Sequence, residues 1–433
     1  MSKSVWTDNF KMPNHKELCG DIKTDIFIIG GGICGLLCAY FLNQNGVDCV
    51  VAEGSKICSG ITKNTTAKIT SLHGLIYDKL IKSEGKDAAQ MYLNANNAAI
   101  SKYRELSKII DCDFEEKSSY TYSLSSRQKI EDEVDAVLSL GGEAEFTQAL
   151  PLPFQTQGAI HFPNQAQFNP IKFASAISKE LKIYENTFIR DISEHTAVSN
   201  RGKITADKII VATHFPFINK HGSYFLKLYQ HRSYVIALKG AADVNGMYVD
   251  EAEGGMSFRN YKDLLLIGGG SHRTGKKGGN WTELRRFAGQ YYPLADEKYH
   301  WSTQDCMSLD KIPYIGRYSK NTPDLFVASG FNKWGMTGAM AAAQILCDLV
   351  LGKENDFAPV FNPSRSILKP QLAINGTETL LNFLSPTTKR CPHLGCALKY
   401  NKREHSWDCP CHGSRFDEHG KLIDNPATGD AKV

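Results

Sequence analysis

The sequence predicts a protein of mixed α/β and α+β class: a doubly wound parallel-sheet domain interleaved with an antiparallel-sheet domain, then a small all-β subdomain. Three observations predict this architecture. A glycine-rich turn at residues 30–35 joins an apolar strand to a helix. Strand-like runs such as SYVIAL and DLLLIG follow one another along residues 221–310, as they do in antiparallel sheets. Short loops with paired cysteine and histidine residues fill much of residues 391–433.

The first strand, turn and helix carry a dinucleotide-binding signature. The apolar run TDIFII enters GGGICG, where Gly30, Gly32 and Gly35 fill the pattern G-x-G-x-x-G. A helix and a second strand ending at Glu53 follow. The glycines permit close backbone approach to a pyrophosphate at the helix N-terminus, and Glu53 suits a ribose hydroxyl. The alternative is a tight packing turn between strand and helix, without a ligand.

Two later segments distinguish a flavin from a nicotinamide. KIIVAT at residues 208–213 is strand-like, and LFVASGFNKWGMTGAM at residues 325–340 combines a strand, a glycine turn and a helix. With GGGICG, Glu53 and IPYIGR at residues 312–317, these segments resemble the D-amino-acid oxidase family, particularly its glycine and sarcosine oxidase branch. The resemblance runs from residue 22 to residue 352 or close to it. It implies FAD, a Rossmann-like domain of the glutathione-reductase type, an interleaved substrate domain and oxidation of a C–N bond.

The same resemblance implies which residues contact FAD. In this family the segment that corresponds to residues 61–74 lies along the flavin. Lys68 is alternatively an ordinary solvated lysine. Cys306 falls near the position where some sarcosine oxidases attach flavin covalently, but we expect non-covalent FAD. The expected cofactor-binding residues are Gly30, Gly32, Gly35, Glu53, Thr65, Thr66, Lys68, Ile189, Ala212, Thr213, Gly330, Gly335, Met336 and Thr337.

The C-terminal loops predict a metal centre. Cys391 and His393 form C-x-H, and Cys409 and His412 form C-x-x-H. Two thiolates and two imidazoles suit a [2Fe–2S] cluster in which one iron takes sulfur ligands and the other takes nitrogen ligands. A zinc site is the alternative, because two cysteines and two histidines at short spacings also bind zinc.

Residues 391–433 resemble the cluster-binding part of Rieske proteins, and the whole chain resembles fused flavin–Rieske members of the oxidase family. Cys396 and Cys411 match the extra cysteine pair of cytochrome bc-type Rieske proteins, which implies a disulfide; two free buried thiols are the alternative. Ser414 matches a serine that donates a hydrogen bond to cluster sulfur, whereas Phe416 replaces the usual tyrosine. Losing that donor predicts a reduction potential below that of bc-type centres, within roughly −150 to +300 mV.

The domains are expected to interleave along the chain. Because residues 391–433 alone bury little core, we expect this subdomain to lean on the flavin domain. The predicted divisions are residues 1–21 as an N-terminal arm; 22–72, 170–220 and 311–352 as the FAD-binding domain; 73–169 and 221–310 as the substrate domain; 353–390 as a linker; and 391–433 as the Rieske subdomain.

Composition limits the classes of partner. The net charge of +4 on 433 residues gives no reason to expect nucleic-acid binding. No apolar run reaches the length of a membrane span, and the polar N-terminus lacks the apolar core of a signal peptide. Most cysteines outside the C-terminal loops lie in apolar segments, as buried reduced thiols do. We therefore expect a cytoplasmic protein without a membrane partner.

Candidates for catalytic residues come from the segment expected to form the substrate sheet. His272 is a candidate to bind or deprotonate substrate, and Arg259 is a candidate to hold a carboxylate, with Tyr234 and Tyr248 as further candidates. A structural histidine and a surface arginine are the alternatives. In amine-oxidising relatives a lysine of this region assists the reaction with oxygen, and Leu266 is placed there, which disfavours oxygen as acceptor.

The expected function is therefore an FAD-dependent dehydrogenase that oxidises a C–N bond of a small amine or amino acid. Electrons are expected to pass from flavin to the cluster and then to a soluble carrier docked at an exposed histidine edge. One alternative is a reductase in which electrons flow from the cluster to the flavin. The other is a redox sensor or electron-transfer module without a substrate of its own.

Overall fold

Three β-sheets organise the chain. The computed structural model describes residues 3–8 and 10–433; residues 1, 2 and 9 of the predicted arm lie outside the described residues. The strands are β1 Ile22–Ile29, β2 Cys49–Ala52, β3 Lys68–Ile69, β4 Glu115–Ser123, β5 Glu145–Thr147, β6 Gly158–Gln167, β7 Lys182–Tyr184, β8 Ile189–Ser193, β9 Thr196–Ser199, β10 Lys203–Val211, β11 Leu228–Lys239, β12 Met247–Asp250, β13 Ser257–Tyr261, β14 Leu264–Arg273, β15 Asp296–Ser308, β16 Tyr314–Arg317, β17 Leu325–Ser329, β18 Lys399–Asn401, β19 Ser406–Asp408, β20 Arg415–Asp417 and β21 Leu422–Asp424. The α-helices are α1 Ile33–Gln44, α2 Tyr77–Glu84, α3 Lys86–Ser107, α4 Arg127–Ser139, α5 Pro170–Ser178, α6 Tyr224–Lys227, α7 Trp281–Tyr291, α8 Gly335–Val350, α9 Ala358–Phe361 and α10 Pro370–Leu384.

The first sheet has the strand order β16–β17–β10–β1–β2–β7, with β9 added to β10 and β8 to β9. Strand β1 pairs in parallel with β10 and β2, so that Ile26 lies opposite Lys208 and Cys49. Residues 26–29 are all buried, as expected of a parallel strand covered on both faces. Helices α1 and α8 pack against each other beside this sheet. Its strands come from the three segments predicted for the FAD-binding domain.

The second sheet has the order β15–β11–β14–β13–β12–β4–β6–β3, with β5 added to β6. Apart from the parallel pair of β12 with β4, its strands pair antiparallel. Most of its strands come from the segments predicted for the substrate domain. Lys68–Ile69 joins this sheet although it was predicted with the FAD-binding domain, so the segment expected to line the flavin bridges the two domains.

The C-terminal subdomain contains a four-stranded antiparallel meander, β18–β19–β20–β21. Trp407 lies opposite Phe416 in this sheet. Its apolar core is small and consists of the residues Cys391, Cys396, Leu398, Cys409, Cys411, Phe416, Ala427 and Ala431. Such a core contributes little stability alone, so contacts with the larger domains hold this unit in place.

Helix α10 occupies part of the segment that was predicted as a linker, residues 353–390. Pro370 lies in its first turn, where a missing backbone N–H breaks no helical hydrogen bond. The helix buries Asn375 and Asn382 but leaves Leu380 and Leu381 about 60% exposed. Its apolar residues therefore do not form the inward stripe by which a sequence reveals a helix.

The N-terminal arm packs against the segment expected to lie along the flavin. Trp6 is 1% exposed, and its Nε1 donates a hydrogen bond to the carbonyl oxygen of Thr65 at 2.7 Å. Ser4 Oγ donates to the carbonyl oxygen of Lys63. The arm is thus part of the fold. Among the described residues, none of the helices has the length and apolar character needed to span a bilayer.

Candidate functional site

The turn after β1 is built so closely that only glycine fits. Gly30 has φ +108°, and a Cβ there would lie 2.6 Å from the carbonyl oxygen of Ala212 on the neighbouring strand. A Cβ at Gly31 would lie 2.9 Å from the Cβ of Glu53. Gly35, in the first turn of α1, packs against the carbonyl group of Gly30. The turn therefore leaves bare backbone at a helix N-terminus, which is a site for a diphosphate.

Glu53 closes the other side of this turn. Its Oε2 accepts the N–H of Gly31 at 2.8 Å, and its Oε1 accepts the N–H of Ser55 at 2.9 Å. Burial raises the pKa of the carboxyl group. The two hydrogen bonds fix the direction of the carboxylate beside the turn, where the dinucleotide signature places a ribose.

A cavity of about 1000 Å³ runs from this turn to the antiparallel sheet, at the upper end of the volumes of cofactor sites. Most of the residues predicted to contact FAD line it: Gly30, Gly32, Glu53, Thr65, Thr66, Lys68, Ile189, Ala212, Thr213, Gly335 and Met336. Gly35, Gly330 and Thr337 lie behind the lining. Thr337 Oγ1 lies 3.0 Å from His73 Nε2 and donates to the Thr70 carbonyl oxygen. The glycine turn and the length of the cavity fit FAD.

Lys68, within the flavin segment, and Arg259, on β13, both bond to Thr66 of that segment. Lys68 Nζ donates to Thr66 Oγ1 at 3.1 Å, and burial, helped by the charge of Arg259, lowers the pKa of Lys68 to about 7. Arg259 Nη1 donates to the carbonyl oxygens of Thr66 and Ala67 at 2.7 and 2.9 Å. Arg259 is outside the cavity lining, so its guanidinium supports the segment and does not face the space for a substrate.

The other catalytic candidates also make structural contacts. His272 Nδ1 lies 3.1 Å from the carbonyl oxygen of Gly270, and its ring, outside the cavity lining, stacks on Tyr234. Tyr234 lines the cavity, but its hydroxyl donates to Glu404. Tyr248 stacks on Tyr120 with 4.6 Å between ring centroids. In this structure the predicted catalytic side chains do not converge on one point.

A cationic group that sequence reasoning missed does enter the cavity. Lys333 has φ +74°, and its Nζ donates to Ser271 Oγ at 2.7 Å. Burial lowers the pKa of Lys333, whereas the nearby carboxylates of Asp305 and Glu253 oppose that shift. All four residues line the cavity. They give one end of it a charged character that suits a small zwitterion.

Strand β14 presents small residues to the same cavity. Gly268 and Gly269 line it, whereas Leu266 is 1% exposed and lies outside the lining. The strand segment LLLIGGGSHR contains no lysine. Cys306 also lines the cavity, where burial raises the pKa of its thiol to about 12. That thiol is therefore protonated at neutral pH.

The predicted cluster ligands come together on two similar loops. In each loop a glycine N–H donates to the carbonyl oxygen of the cysteine four residues earlier, Gly395 to Cys391 and Gly413 to Cys409, both at 2.9 Å. His393 Nδ1 and His412 Nδ1 lie 3.3 Å apart. Burial, with a smaller effect of the neighbouring imidazole, lowers the pKa of His393 to about 3. Neutral imidazoles facing one point are the form that binds iron.

The two further cysteines lie beside these ligands. The Sγ atoms of Cys396, Cys409 and Cys411 are all within 4.8 Å of one another, although Cys396 and Cys411 are not joined in this structure. Ser414 is buried next to Cys391 and its Oγ accepts the N–H of Ala427 at 3.0 Å. A serine hydroxyl held in this way keeps its proton free to point toward the cluster side.

The histidine edge is only partly exposed, because His412 is buried whereas His393 is half-buried. His412 is 1% exposed, and Phe215 and Phe225 pack edge-on against its ring. His393 Nε2 lies 3.0 Å from Asn219 Oδ1. The edge was expected to be exposed for docking of a soluble carrier, but residues of the flavin domain and of the segment after it cover the ring of His412.

The cluster subdomain shares the FAD cavity. Its residues Arg415, Leu422, Ile423, Asp424, Asn425, Ala427 and Thr428 form part of the lining. Asn425 Nδ2 donates to the carbonyl oxygens of Thr213 and Phe215, both at 2.7 Å, just past the end of β10. Phe215 in turn touches both cluster histidines. Three consecutive residues, 213–215, therefore connect the cavity wall with the cluster site.

Comparison with known proteins identifies both parts of the chain. Residues 25–349 match the model of the DAO family, described as FAD dependent oxidoreductase. The chain belongs to this family of FAD-dependent oxidoreductases. Residues 374–433 match the Rieske [2Fe-2S] domain, a match that starts within α10. FAD and a [2Fe–2S] cluster are therefore the cofactors of this flavin oxidoreductase, as the resemblances to the oxidase and Rieske families implied.

A curated relative matches nearly the whole chain of the FAD-dependent oxidoreductase, and solved structures match about four fifths of it. YhfW of Bacillus subtilis (strain 168) carries the description Rieske 2Fe-2S iron-sulfur protein and is 34% identical to this chain. The match covers 98% of this chain and 96% of YhfW. Glycine oxidase from Geobacillus kaustophilus has a TM-score of 0.65 at 19% identity over 79% of this chain and 99% of its own. L-proline dehydrogenase from P. horikoshii has a TM-score of 0.66 at 17% identity over 80% and 98%. These two likenesses concern the fold.

Proposed function

We propose that this enzyme oxidises the C–N bond of a small amine or amino acid and that the electrons leave the flavin through the Rieske cluster. The observation that carries the proposal is the direct link between the two sites. Thr213 lines the FAD cavity, Phe215 packs against both cluster histidines, and Asn425 of the cluster subdomain is hydrogen-bonded to the carbonyl oxygens of both residues.

The charged end of the cavity supports a zwitterionic substrate. Bound FAD supplies the acceptor for a hydride from carbon, and the cluster supplies a one-electron acceptor. Lys333 would pair with a substrate carboxylate, with Ser271 holding its ammonium by the 2.7 Å hydrogen bond. Asp305, whose pKa burial raises, would accept a hydrogen bond from the substrate nitrogen. Glycine oxidase and L-proline dehydrogenase, which share the fold, act on such molecules by name.

Two features support the cluster over oxygen as acceptor. No lysine stands on β14, where amine-oxidising relatives place the residue that assists oxygen, and the cavity-facing residues of this strand are Gly268, Gly269 and Ser271. Since His412 is buried, the half-buried His393 is the cluster histidine that a soluble carrier could approach. Cys34, Cys38, Cys49 and Cys58 are buried free thiols, which supports a cytoplasmic protein.

Anaerobic mixing of the oxidised holoenzyme with single amines and amino acids tests the proposal. We expect flavin absorbance to bleach first and the absorbance of the oxidised Rieske centre to fall afterwards. A Lys333→Met variant should raise KM for the active amino acid much more than it lowers kcat, whereas Lys311→Met, at the rim of the same cavity, should change KM little.

The same experiment separates the alternatives. Flavin reduction that occurs only after the cluster has been reduced from outside would establish the reverse direction of flow. Indifference of both absorbance bands to every amine would contradict the proposed activity and leave an electron-transfer module. Bleaching of the flavin with an unchanged cluster spectrum would show that the amine is oxidised but that the cluster is not the acceptor.

A further inference from the structure

The cluster loop 409–413 is held from outside its own subdomain. Arg273, the last residue of β14, donates from Nε to the carbonyl oxygen of Pro410 at 2.8 Å and from Nη2 to that of Cys411 at 3.0 Å. Its third nitrogen, Nη1, donates to Asn375 Oδ1 of α10 at 2.8 Å. One guanidinium thus joins the substrate sheet, helix α10 and the loop that carries two of the four cluster ligands.

The next two carbonyl groups of the same loop are held by the neighbouring strands. Gln230 Nε2 on β11 donates to the carbonyl oxygen of His412 at 2.8 Å. Gln304 Nε2 on β15 donates to that of Gly413 at 2.9 Å and also to Gln230 Oε1 at 2.7 Å. Four consecutive carbonyl groups of the ligand loop therefore point at three side chains of the substrate sheet.

The approach of the sheet to this loop is close at both ends. A Cβ at Gly275 would lie 2.8 Å from the nitrogen of Pro410, and a Cβ at Gly413 would lie 2.6 Å from the Cβ of Gln230. Both glycines have positive φ, +76° and +83°. The fit leaves the loop little freedom to shift relative to the sheet.

The charge of Arg273 lies beside the loop that carries the ligands Cys409 and His412. The guanidinium contacts the carbonyl group of Cys411, and its charge acts on Cys409 and Cys411 as well as on His412. Glu378 of α10 also faces Arg273, but Lys276 pairs with Glu378 at 2.7 Å and offsets its charge. A positive charge beside the cluster favours the reduced form, which carries one more negative charge than the oxidised form.

We propose that Arg273, a residue of the substrate domain, is a positioning residue of the Rieske centre that also raises its reduction potential. The arginine acts through the carbonyl groups of Pro410 and Cys411, because its fork fixes the ligand loop and brings a positive charge within reach of the cluster. This inference concerns the cluster itself and does not depend on which substrate reduces the flavin.

Potentiometric titration of purified holoenzyme, followed by EPR, tests this inference. We expect Arg273→Gln to lower the midpoint potential and to shift the EPR g-values of the reduced cluster, while FAD content is unchanged. Arg273→Lys keeps the charge without the fork, and should restore most of the midpoint. Lys277→Gln, which removes an exposed positive charge four residues away, should leave both the midpoint and the EPR spectrum as in the parent protein.

Two results would overturn the inference: an Arg273→Gln protein with the parent midpoint and spectrum, or an Arg273→Lys protein whose midpoint falls as far as that of Arg273→Gln. If Arg273→Gln fails to assemble the cluster, Arg273→Lys decides the electrostatic part. A midpoint close to that of the parent then supports a role for the charge, and a large fall contradicts it.

Discussion

Arg232 of β11 and Glu404 of the cluster subdomain form a buried ion pair, with 3.2 Å between Arg232 Nε and Glu404 Oε1. Arg415 Nη2 approaches the same carboxylate at 3.1 Å from the subdomain side. Glu404 therefore lies between one arginine of each domain, and its side chain is 8% exposed. This carboxylate is a principal ionic contact that docks the subdomain on the substrate sheet.

Replacement of Glu404 by glutamine should loosen this docking. The change leaves buried Arg232 without its carboxylate partner, whereas Arg415 keeps Asp408 and Asp424. Removing one partner of a buried ion pair costs on the order of 3 kcal/mol in the free energy of unfolding. Urea denaturation at pH 7, followed by the absorbance of the cluster, measures the loss. Glu418→Gln, an exposed carboxylate of the same subdomain, serves as control and should match the parent protein.

The difference between parent and Glu404→Gln should depend on pH. Burial alone would raise the pKa of Glu404, but Arg232 and Arg415 lower it to about 2. A carboxyl group with a lowered pKa stabilises the fold above its unfolded pKa, about 4.3, and loses this contribution as the pH falls toward the folded value. We expect the difference in unfolding free energy to shrink by on the order of 1 kcal/mol between pH 7 and pH 3.5. A constant difference over that range would count against the ion pair.

Alanine at Gly30 should weaken FAD binding. The new Cβ would meet the Ala212 carbonyl oxygen at 2.6 Å, at a φ of +108° that disfavours any side chain. We expect at least a roughly tenfold higher Kd for FAD, which corresponds to about 1.4 kcal/mol. Titration of the apoprotein, followed by flavin fluorescence, gives the value. Gly289→Ala, where an added Cβ meets no atom within 4 Å, should keep the affinity of the parent.

Loss of the Trp6 indole N–H should also weaken FAD binding, but less. Trp6→Phe removes the 2.7 Å hydrogen bond to the Thr65 carbonyl oxygen, which contributes about 1 kcal/mol. The substituted phenyl ring retains much of the buried aromatic surface. The expected result is a several-fold higher Kd for FAD. Trp407→Phe in the cluster subdomain is the matched control. Equal Kd values for all three proteins would mean that the arm does not support the flavin segment.

Serine at Cys391 should remove the cluster and spare the flavin. One iron loses a thiolate ligand, whereas the FAD cavity does not include residue 391. Iron and sulfide content should fall to background in Cys391→Ser with FAD still bound. Cys19→Ser, at an exposed cysteine, should retain both cofactors. Zinc in place of iron in the parent protein would refute the assignment.

Local chemistry explains which parts of the site could be predicted. Gly30, Glu53 and the two cysteine–histidine loops lie close in sequence to the residues they act with, so their spacing indicated a dinucleotide and a metal centre. The resemblances to the oxidase and Rieske families then implied FAD and the [2Fe–2S] cluster. The family comparisons confirm FAD and the [2Fe–2S] cluster. Strand β1 was equally predictable, because a short unbroken apolar run is typical of a buried strand in a protein of this composition.

Contacts between distant segments explain what could not be predicted. Arg273 and Pro410 are 137 residues apart, and no periodicity relates a strand end to a loop of another domain. Asn375 turns inward on α10 and accepts a hydrogen bond from Arg273, which belongs to another segment. The burial of His412 has the same origin, since Phe215 meets its ring only in the folded chain.

The hydrogen bonds from Arg273, Gln230 and Gln304 to the loop 409–413 determine whether the cluster subdomain can be moved to another protein. In sequence, residues 391–433 resemble a self-contained domain. In the structure, however, the loop 409–413 accepts hydrogen bonds from side chains of β11, β14 and β15. Transplanting the tail to another flavoprotein would leave four carbonyl groups facing a foreign surface. The cluster subdomain and the substrate sheet beside it therefore form one structural unit, and a recombinant fusion must carry both.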